Sequence, residues 1–259
     1  IRKITPQGSV STLAGTGEMG YRDGEGSVVA QFRNPCGVAV DGEGNVFVAD
    51  AGDHRIRKIT PQGHVSTLAG TGVSGYQEGE GTVAQFHDPR GISVDRDGNV
   101  FVADRGNHRI RKITPQGCVS TLAGTGVIGY QDGEGIVAQF KSPIGVAVDG
   151  DGNVIVADTE NHCIRMISPQ GQVSTLAGTG EAGDEDGVGT IAEFNWPSGV
   201  AVDEDGNVVV ADTENHSIRL ITPQGLVSTL AGTGEEGYED GEGTWAEFCF
   251  PFGVAVDGD

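Results

Sequence analysis

The chain repeats itself nearly word for word every 54 residues, and this constrains its fold more than any other feature. The segment Ile1-Arg2-Lys3-Ile4-Thr5-Pro6-Gln7-Gly8 returns at Ile56, Ile110, Ile164 and Ile218, at spacings of 55, 54, 54 and 54. The one extra residue falls in Ser27-Val28-Val29-Ala30, where the next copy has Thr82-Val83-Ala84. A period of this size marks a propeller, a solenoid or a repeat array, because a single unit cannot bury its own apolar faces. The same repetition counts against catalysis. A catalytic site needs unlike residues converging on one point, and here nearly every polar residue has several equivalents.

Within one copy, Gly91-Ile92-Ser93-Val94-Asp95 reads as a short strand and Asn99–Asp104 as a second. Arg109–Ile113 reads as a third strand and Val119–Ala123 as a fourth, with turns of Asp, Gly, Asn, His and Pro between them. Short strands at this spacing, each bounded by turn residues, predict antiparallel β meanders. The first two strands are apolar on both faces. The third carries Arg109, Arg111 and Lys112, and the fourth Ser120 and Thr121. Burial is therefore expected to fall from the first strand to the fourth, as in a propeller blade. The expected blades are approximately 32–69, 86–123, 140–177 and 194–231, with a fifth formed by 248–259 together with 1–14, all in one domain, 1–259. Connectors of about 20 residues, such as Gly124–Pro143, join the blades, with Tyr130 and Phe140 as expected anchors. Asp184 replaces the tyrosine in the fourth copy.

Charge and composition narrow the partners. There are 16 basic residues against 37 acidic ones, a net charge of −21. Nucleic acid is excluded as a partner, since phosphate binding draws on clustered Lys and Arg. No apolar run approaches the ~20 residues of a membrane helix, so no membrane insertion is expected. Cys36, Cys118, Cys163 and Cys249 fall at four different repeat positions with no CxxC spacing, which disfavours a zinc site.

The pattern Phe-x-x-Pro-x-Gly-Val-Ala-Val-Asp-x-x-Gly-Asn-Val-x-Val-Ala-Asp-x-x-Asn-His-x-Ile-Arg stands whole at Phe140–Arg165 and Phe194–Arg219. It stands with small changes at Phe32–Arg57 and Phe86–Arg111, and a fifth copy begins at Phe248. This pattern resembles the NHL repeat, the blade unit of NHL β-propellers, over essentially the whole chain. The resemblance implies an all-β propeller of four-stranded blades. It implies no single function, because such propellers bind proteins, RNA or carbohydrates and include metal-dependent lyases and hydrolases. At the ends, Ile1–Ala14 would supply a third and fourth strand and Gly253–Asp257 a first. Their blade would lack its second strand, which reads either as a fragment of a longer array or as a blade completed by another copy of the chain.

Four constellations carry candidate chemistry. The acidic turns, including Asp149 with Asp151 and Asp203 with Asp205, resemble the opening of a calcium loop, but no closing Glu follows, and a hairpin turn accounts for them. Asp50 with His54 recurs as Asp104/His108, Asp158/His162 and Asp212/His216. Identical copies argue for a structural turn lock rather than a triad or a metal ring. Gly-Thr-Gly-x-x-Gly mimics a dinucleotide fingerprint but leads to no helix. Finally, the copies disagree at the entrance to the first strand, where Arg90, Ile144, Trp196, Ser198, Phe250 and Phe252 stand, with Arg105 on a neighbouring loop. These residues would rim a central channel. Their aromatics read equally as an interaction patch or as packing beneath the long loops.

The sequence thus predicts a non-catalytic binding or structural module without cofactor, catalytic residues or metal. Its expected partners are a protein or a surface glycan through the loop-bearing face, or other copies of itself in a repetitive assembly. An extracellular or cell-surface setting is preferred. The competing class is an NHL-related metal-dependent lyase or hydrolase.

Overall fold

The β-branched runs of each repeat form strands because they fit a pleated surface buried on both sides. The turns between them close on Asp side chains. Asp41 Oδ1 accepts the Glu43 and Asn45 amides at 3.0 and 2.8 Å, and Gly44 follows with φ of 80°. In the computed structural model, which describes residues 1–257, four such sheets are present and the chain is all-β apart from short 3-10 turns. The four sheets are the blades of a β-propeller. The first blade runs Pro35–Val40, Val46–Asp50, Arg55–Ile59 and His64–Ala69 from inner to outer edge, all antiparallel. A two-residue strand from the connector, Gly24–Glu25, pairs on the outer edge opposite Val65 and His64. The other three sheets have the same order. Each sheet therefore gains a fifth short strand that the sequence pattern had left inside a loop.

The chain divides into two compact units. One comprises Ile1–Asn107 with Lys112–Ser120, and the other comprises His108–Arg111 with the chain from Thr121 onward. In the first unit, Phe47, Ala49 and Ile56 of one sheet pack against Ile92, Val100, Val102 and Ile113 of the next. In the second, Ile155, Ala157 and Ile164 meet Val200, Val208, Val210 and Ile221. Sheet faces that stack in this way remove both sides of a strand from water, which is why the second strands lose their polar alternation.

Two expectations need correction. Burial does not fall steadily outward. The second strand is the most buried: Val100–Asp104 is buried throughout, whereas the first strand Pro89–Val94 mixes buried and half-buried positions. The third strand is not a solvated face either, because Arg57, Arg111, Arg165 and Arg219 are among the largest fully buried side chains. At the ends, Arg2–Ile4 pairs with Val10–Thr12 in a two-stranded sheet, but 253–257 forms no strand. Among the described residues no strand pairs with it. Residues 258 and 259 of the expected fifth blade lie outside the described residues.

The buried arginine explains the long connector. Arg57 Nη1 donates to the Gln31 carbonyl at 3.0 Å and to Asp50 at 2.8 Å, while Nη2 donates to the Arg22 carbonyl at 2.9 Å and to Asp23. Asp23 in turn accepts the Thr67 amide of the fourth strand at 3.1 Å. Arg165 and Arg219 repeat this pattern with Asp132 and Asp158, and with Asp186 and Asp212. One guanidinium thus ties a strand, a strand end and both arms of the connector. The tyrosines close over it. The Tyr130 ring centroid lies 4.9 Å from Arg165 Cζ, and its hydroxyl meets Thr175 Oγ1 at 2.8 Å.

Candidate functional site

Every repeat enters its first strand through a strained residue. Asn34, Asp88, Ser142, Trp196 and Phe250 all have φ between 46° and 52°, and each precedes a proline. That conformation is uncommon for any non-glycine residue, and a following proline pushes a residue toward extended backbone. Histidine holds the conformation in place. His54 Nδ1 accepts the Asp88 amide at 3.1 Å, and His108 Nδ1 accepts that of Ser142 at 3.0 Å. His162 and His216 accept the Trp196 and Phe250 amides, each at 3.3 Å. Each histidine is itself left-handed, capping a 3-10 turn such as Ala51–Asp53 or Thr159–Asn161.

The Asp–His pairs therefore reach further than a local turn. Asp50 Oδ1 accepts the Arg33 amide at 2.6 Å, Asp158 the Lys141 amide at 2.7 Å, and Asp212 the Asn195 amide at 2.7 Å. The aspartate fixes the entrance of its own repeat, and the histidine fixes the entrance of the following one. Burial pushes Asp50, Asp158 and Asp212 up to about 6, against the pull of their backbone and arginine hydrogen bonds. Burial holds His54 and His162 below the ordinary histidine value, which keeps Nδ1 free to accept.

These shifts have opposite signs in stability. A depressed histidine means that the unfolded chain binds the proton more readily, so its contribution is lost as pH falls below about 6.5. A raised aspartate means that the folded chain binds the proton first, so its contribution is lost as pH rises from about 4 through about 6. The histidine part is isolated by the double variant His54→Asn/His162→Asn, since Asn tolerates the left-handed backbone. The variant is expected to be about 2 kcal/mol less stable at pH 7, from two lost hydrogen bonds. The gap to the unsubstituted chain should shrink as urea unfolding is repeated from pH 7 down to pH 5. A gap that stays constant would show that the imidazoles do not act as neutral acceptors.

The entrance positions differ sharply between repeats. In the first unit they are polar: Asp88 Oδ2 accepts from Arg90 at 3.1 Å and from Arg105 at 2.9 Å, and Arg90 reaches Cys36 Sγ at 3.3 Å. In the second unit Ser198 is buried, with Oγ 2.9 Å from Thr213 Oγ1, which donates to the Pro251 carbonyl at 2.8 Å. Ser198 is thus a packing residue rather than a contact residue, and Ile144 is half-buried. Trp196, Phe250 and Phe252 are 41%, 45% and 51% exposed. The Phe250 ring stands edge-on to His216 with centroids 4.6 Å apart. Trp245, the other tryptophan, lies in a 3-10 turn beside the outermost full strand of the fourth sheet.

The acidic turns are satisfied internally. Asp149 takes the Asp151 and Asn153 amides on Oδ1 and the Asn153 side chain on Oδ2, and Asp203 takes the Asn207 amide and side chain in the same way. Asp151 and Asp205 stand in the same turns. No group of three or more His, Cys, Asp or Glu among the described residues is placed to hold a metal. All four cysteines are free thiols, with Cys163 buried. No helix among the described residues is long and apolar enough to cross a membrane.

Repeated antiparallel sheets of one order, tied by the same buried Arg–Asp pair, define a β-propeller repeat protein. The NHL repeat signature matches residues 32–59, 86–113, 140–165 and 194–219, and the chain belongs to the NHL-repeat family. It is 31% identical to the SUPPRESSOR OF QUENCHING 1 protein of Arabidopsis thaliana over 94% of this chain and 25% of that one. It is 32% identical to NHL repeat-containing protein 2 of Bos taurus over 85% of this chain and 36% of that one. The chain thus spans between a quarter and about a third of these relatives. An auxiliary nutrient binding protein from Bacteroides ovatus shares the fold at 20% identity and a TM-score of 0.66, over 92% of this chain and 60% of that one. Lyase and gluconolactonase structures share it as well, so the fold alone does not decide between binding and catalysis.

Proposed function

We propose that this chain is a non-catalytic protein-binding module whose contact surface is built on Trp196, Phe250 and Phe252. The observation that carries this reading is a mismatch between strain and burial. The first three repeats place Asn34, Asp88 and Ser142 at the left-handed position before proline, small residues that tolerate it. The fourth copy and the start of the fifth place Trp196 and Phe250 there, where a bulky residue is a conformational outlier. Such strain is of order 1–3 kcal/mol per residue. Neither ring recovers it through full burial, since both remain more than two-fifths exposed. Exposed aromatics held on a hydrogen-bonded backbone suit a partner's apolar side chains.

This reading separates from packing beneath the loops by the sign of one effect. Trp196→Asn and Phe250→Asn install the residue that the first repeat already carries. They are expected to leave stability unchanged or raise it by about 1 kcal/mol each, while weakening capture of protein partners by the immobilised chain. Tyr238→Ser, at a residue 95% exposed in a connector, should leave capture intact. Loss of stability in both Asn variants would assign the rings to packing. Retention on a glycan array that is lost in the same variants would move the partner class to carbohydrate.

A further inference from the structure

The fourth repeat contains a polar cavity that the other repeats fill with their own side chains. In the first repeat, Arg55 at the start of the third strand donates Nη2 to the Thr71 carbonyl at 2.6 Å and Nη1 to the Asp53 carbonyl at 3.3 Å. Its guanidinium lies over Gly72 and stacks 3.7 Å from the centroid of Tyr21. The second repeat places Arg109 in the same way, donating to the Thr125 carbonyl over Gly126. The third repeat has Cys163 at the arginine position, and the Tyr130 ring moves onto Gly180, 3.4 Å from where a Cβ would stand. The fourth repeat has neither filler. Ser217 stands at the arginine position and Asp184 at the tyrosine position.

What remains is a cavity of about 100 Å³ lined by Asp184, Asn215, Ser217, Arg219, Thr229 and Thr233, among others. A Cβ on Gly234, the counterpart of Gly72, would meet nothing within 4 Å. The two carbonyls that hold the Arg55 guanidinium have counterparts here in Asn215 and Thr233, and Ser217 Oγ already donates to the Asn215 carbonyl at 2.9 Å. The local charge favours a cation. The single positive group, Arg219, faces Asp186 and Asp212, each at 2.7 Å, and Asp184 adds a third carboxylate at the exposed mouth. One positive group against three negative ones leaves an excess of two negative charges.

We infer that this cavity binds a guanidinium group supplied from outside the chain, seated where Arg55 and Arg109 seat theirs. The Thr233 carbonyl accepts one edge of the planar fork, and Asp184, at the place of the stacking tyrosine, pairs with the charge. Arginine is favoured over lysine because its fork can reach two acceptors in one plane. The inference stands on different residues from the aromatic surface, so either can fail without the other.

The test is a titration of the whole chain with N-acetyl-arginine methylamide, followed by calorimetry and by the amide shifts of Ser217 and Gly234. The lysine analogue serves as the control. Saturable binding, at least tenfold weaker for the lysine compound, is expected. Ser217→Arg and Asp184→Tyr restore what the first repeat carries, so they should fold at least as well and lose binding at least tenfold. Asp184→Asn keeps the shape and should weaken binding through charge alone. Parallel binding of agmatine and the blocked arginine assigns the guanidinium as the recognised group, whereas a strong preference for the blocked arginine points to a peptide side chain. No shift at millimolar ligand, or undiminished binding in Ser217→Arg, overturns the inference.

Discussion

Arg165→Met is expected to destabilise the chain by about 3–5 kcal/mol in urea unfolding, the range for breaking one side of a buried ion pair. Arg165 is fully buried, as is Asp158, which it meets at 2.8 Å. The same guanidinium donates to the Gln139 and Gln131 carbonyls at 3.2 and 2.9 Å. A methionine fills much of the volume but leaves the Asp158 carboxylate without its cation and takes one donor from each connector carbonyl, leaving them only the reciprocal Gln131 and Gln139 amides. Asp158 retains the Lys141 amide and the Asn161 side chain at 2.8 Å, so it is not wholly orphaned. The second substitution Asp158→Asn, made on the Arg165→Met background, should therefore recover part of the loss, because the stranded charge is removed. A single variant within about 1 kcal/mol of the starting chain would mean that the pair contributes no more than an exposed one.

Gly145→Ala, the smallest substitution the chain can suffer there, is expected to lower stability by about 3 kcal/mol through overpacking. A Cβ at Gly145 would lie under 3.0 Å from the Ser198 carbonyl oxygen and 3.1 Å from the Val200 amide nitrogen. Both obstacles are backbone of the neighbouring first strand, so no side-chain rotation relieves them. Gly37 faces the Arg90 carbonyl and Gly199 the Phe252 carbonyl in the same way, the latter at 2.6 Å. Gly152→Ala makes the informative control. Its φ of 84° is strained for alanine, but the nearest atom is the Pro169 ring at 3.6 Å. That variant should lose about 1 kcal/mol, the usual cost of a left-handed alanine. Thermal unfolding of the two variants side by side checks the order, and equal losses would show that the Gly145 contact relaxes freely.

The position of Gly145 illustrates how far a repeat can be read. Within Pro-x-Gly it looks like a turn residue, and nothing in one copy says that a second backbone presses against it. The same holds for the third strand. Arg111 and Arg165 read as polar outer positions, because burying a guanidinium is costly in isolation. Only the connector carbonyls and the two aspartates, one of them more than 30 residues away in sequence, make that burial acceptable. The histidines were visible as a repeated Asp–His pair, but their partner is an amide 34 residues onward. Local spacing points to a turn, whereas the hydrogen bond is to the next repeat. The cavity at Asp184 and Ser217 left a clear trace, an aspartate where the other copies have tyrosine and a serine where the first two have arginine, yet their meeting in space could not be read from 33 residues of separation.

Period, strand pattern and turn chemistry were determined by the sequence alone, because each depends on residues a few positions apart and is written several times over. These local rules settle the all-β blades, their order and the family. What only the tertiary structure decided is where unlike repeats meet: which arginines are buried, which glycines touch backbone, which aromatics remain exposed on strained residues, and where a missing pair of side chains leaves space. Those outcomes follow from packing between segments distant in the chain, and packing responds to the volume and charge of both partners at once.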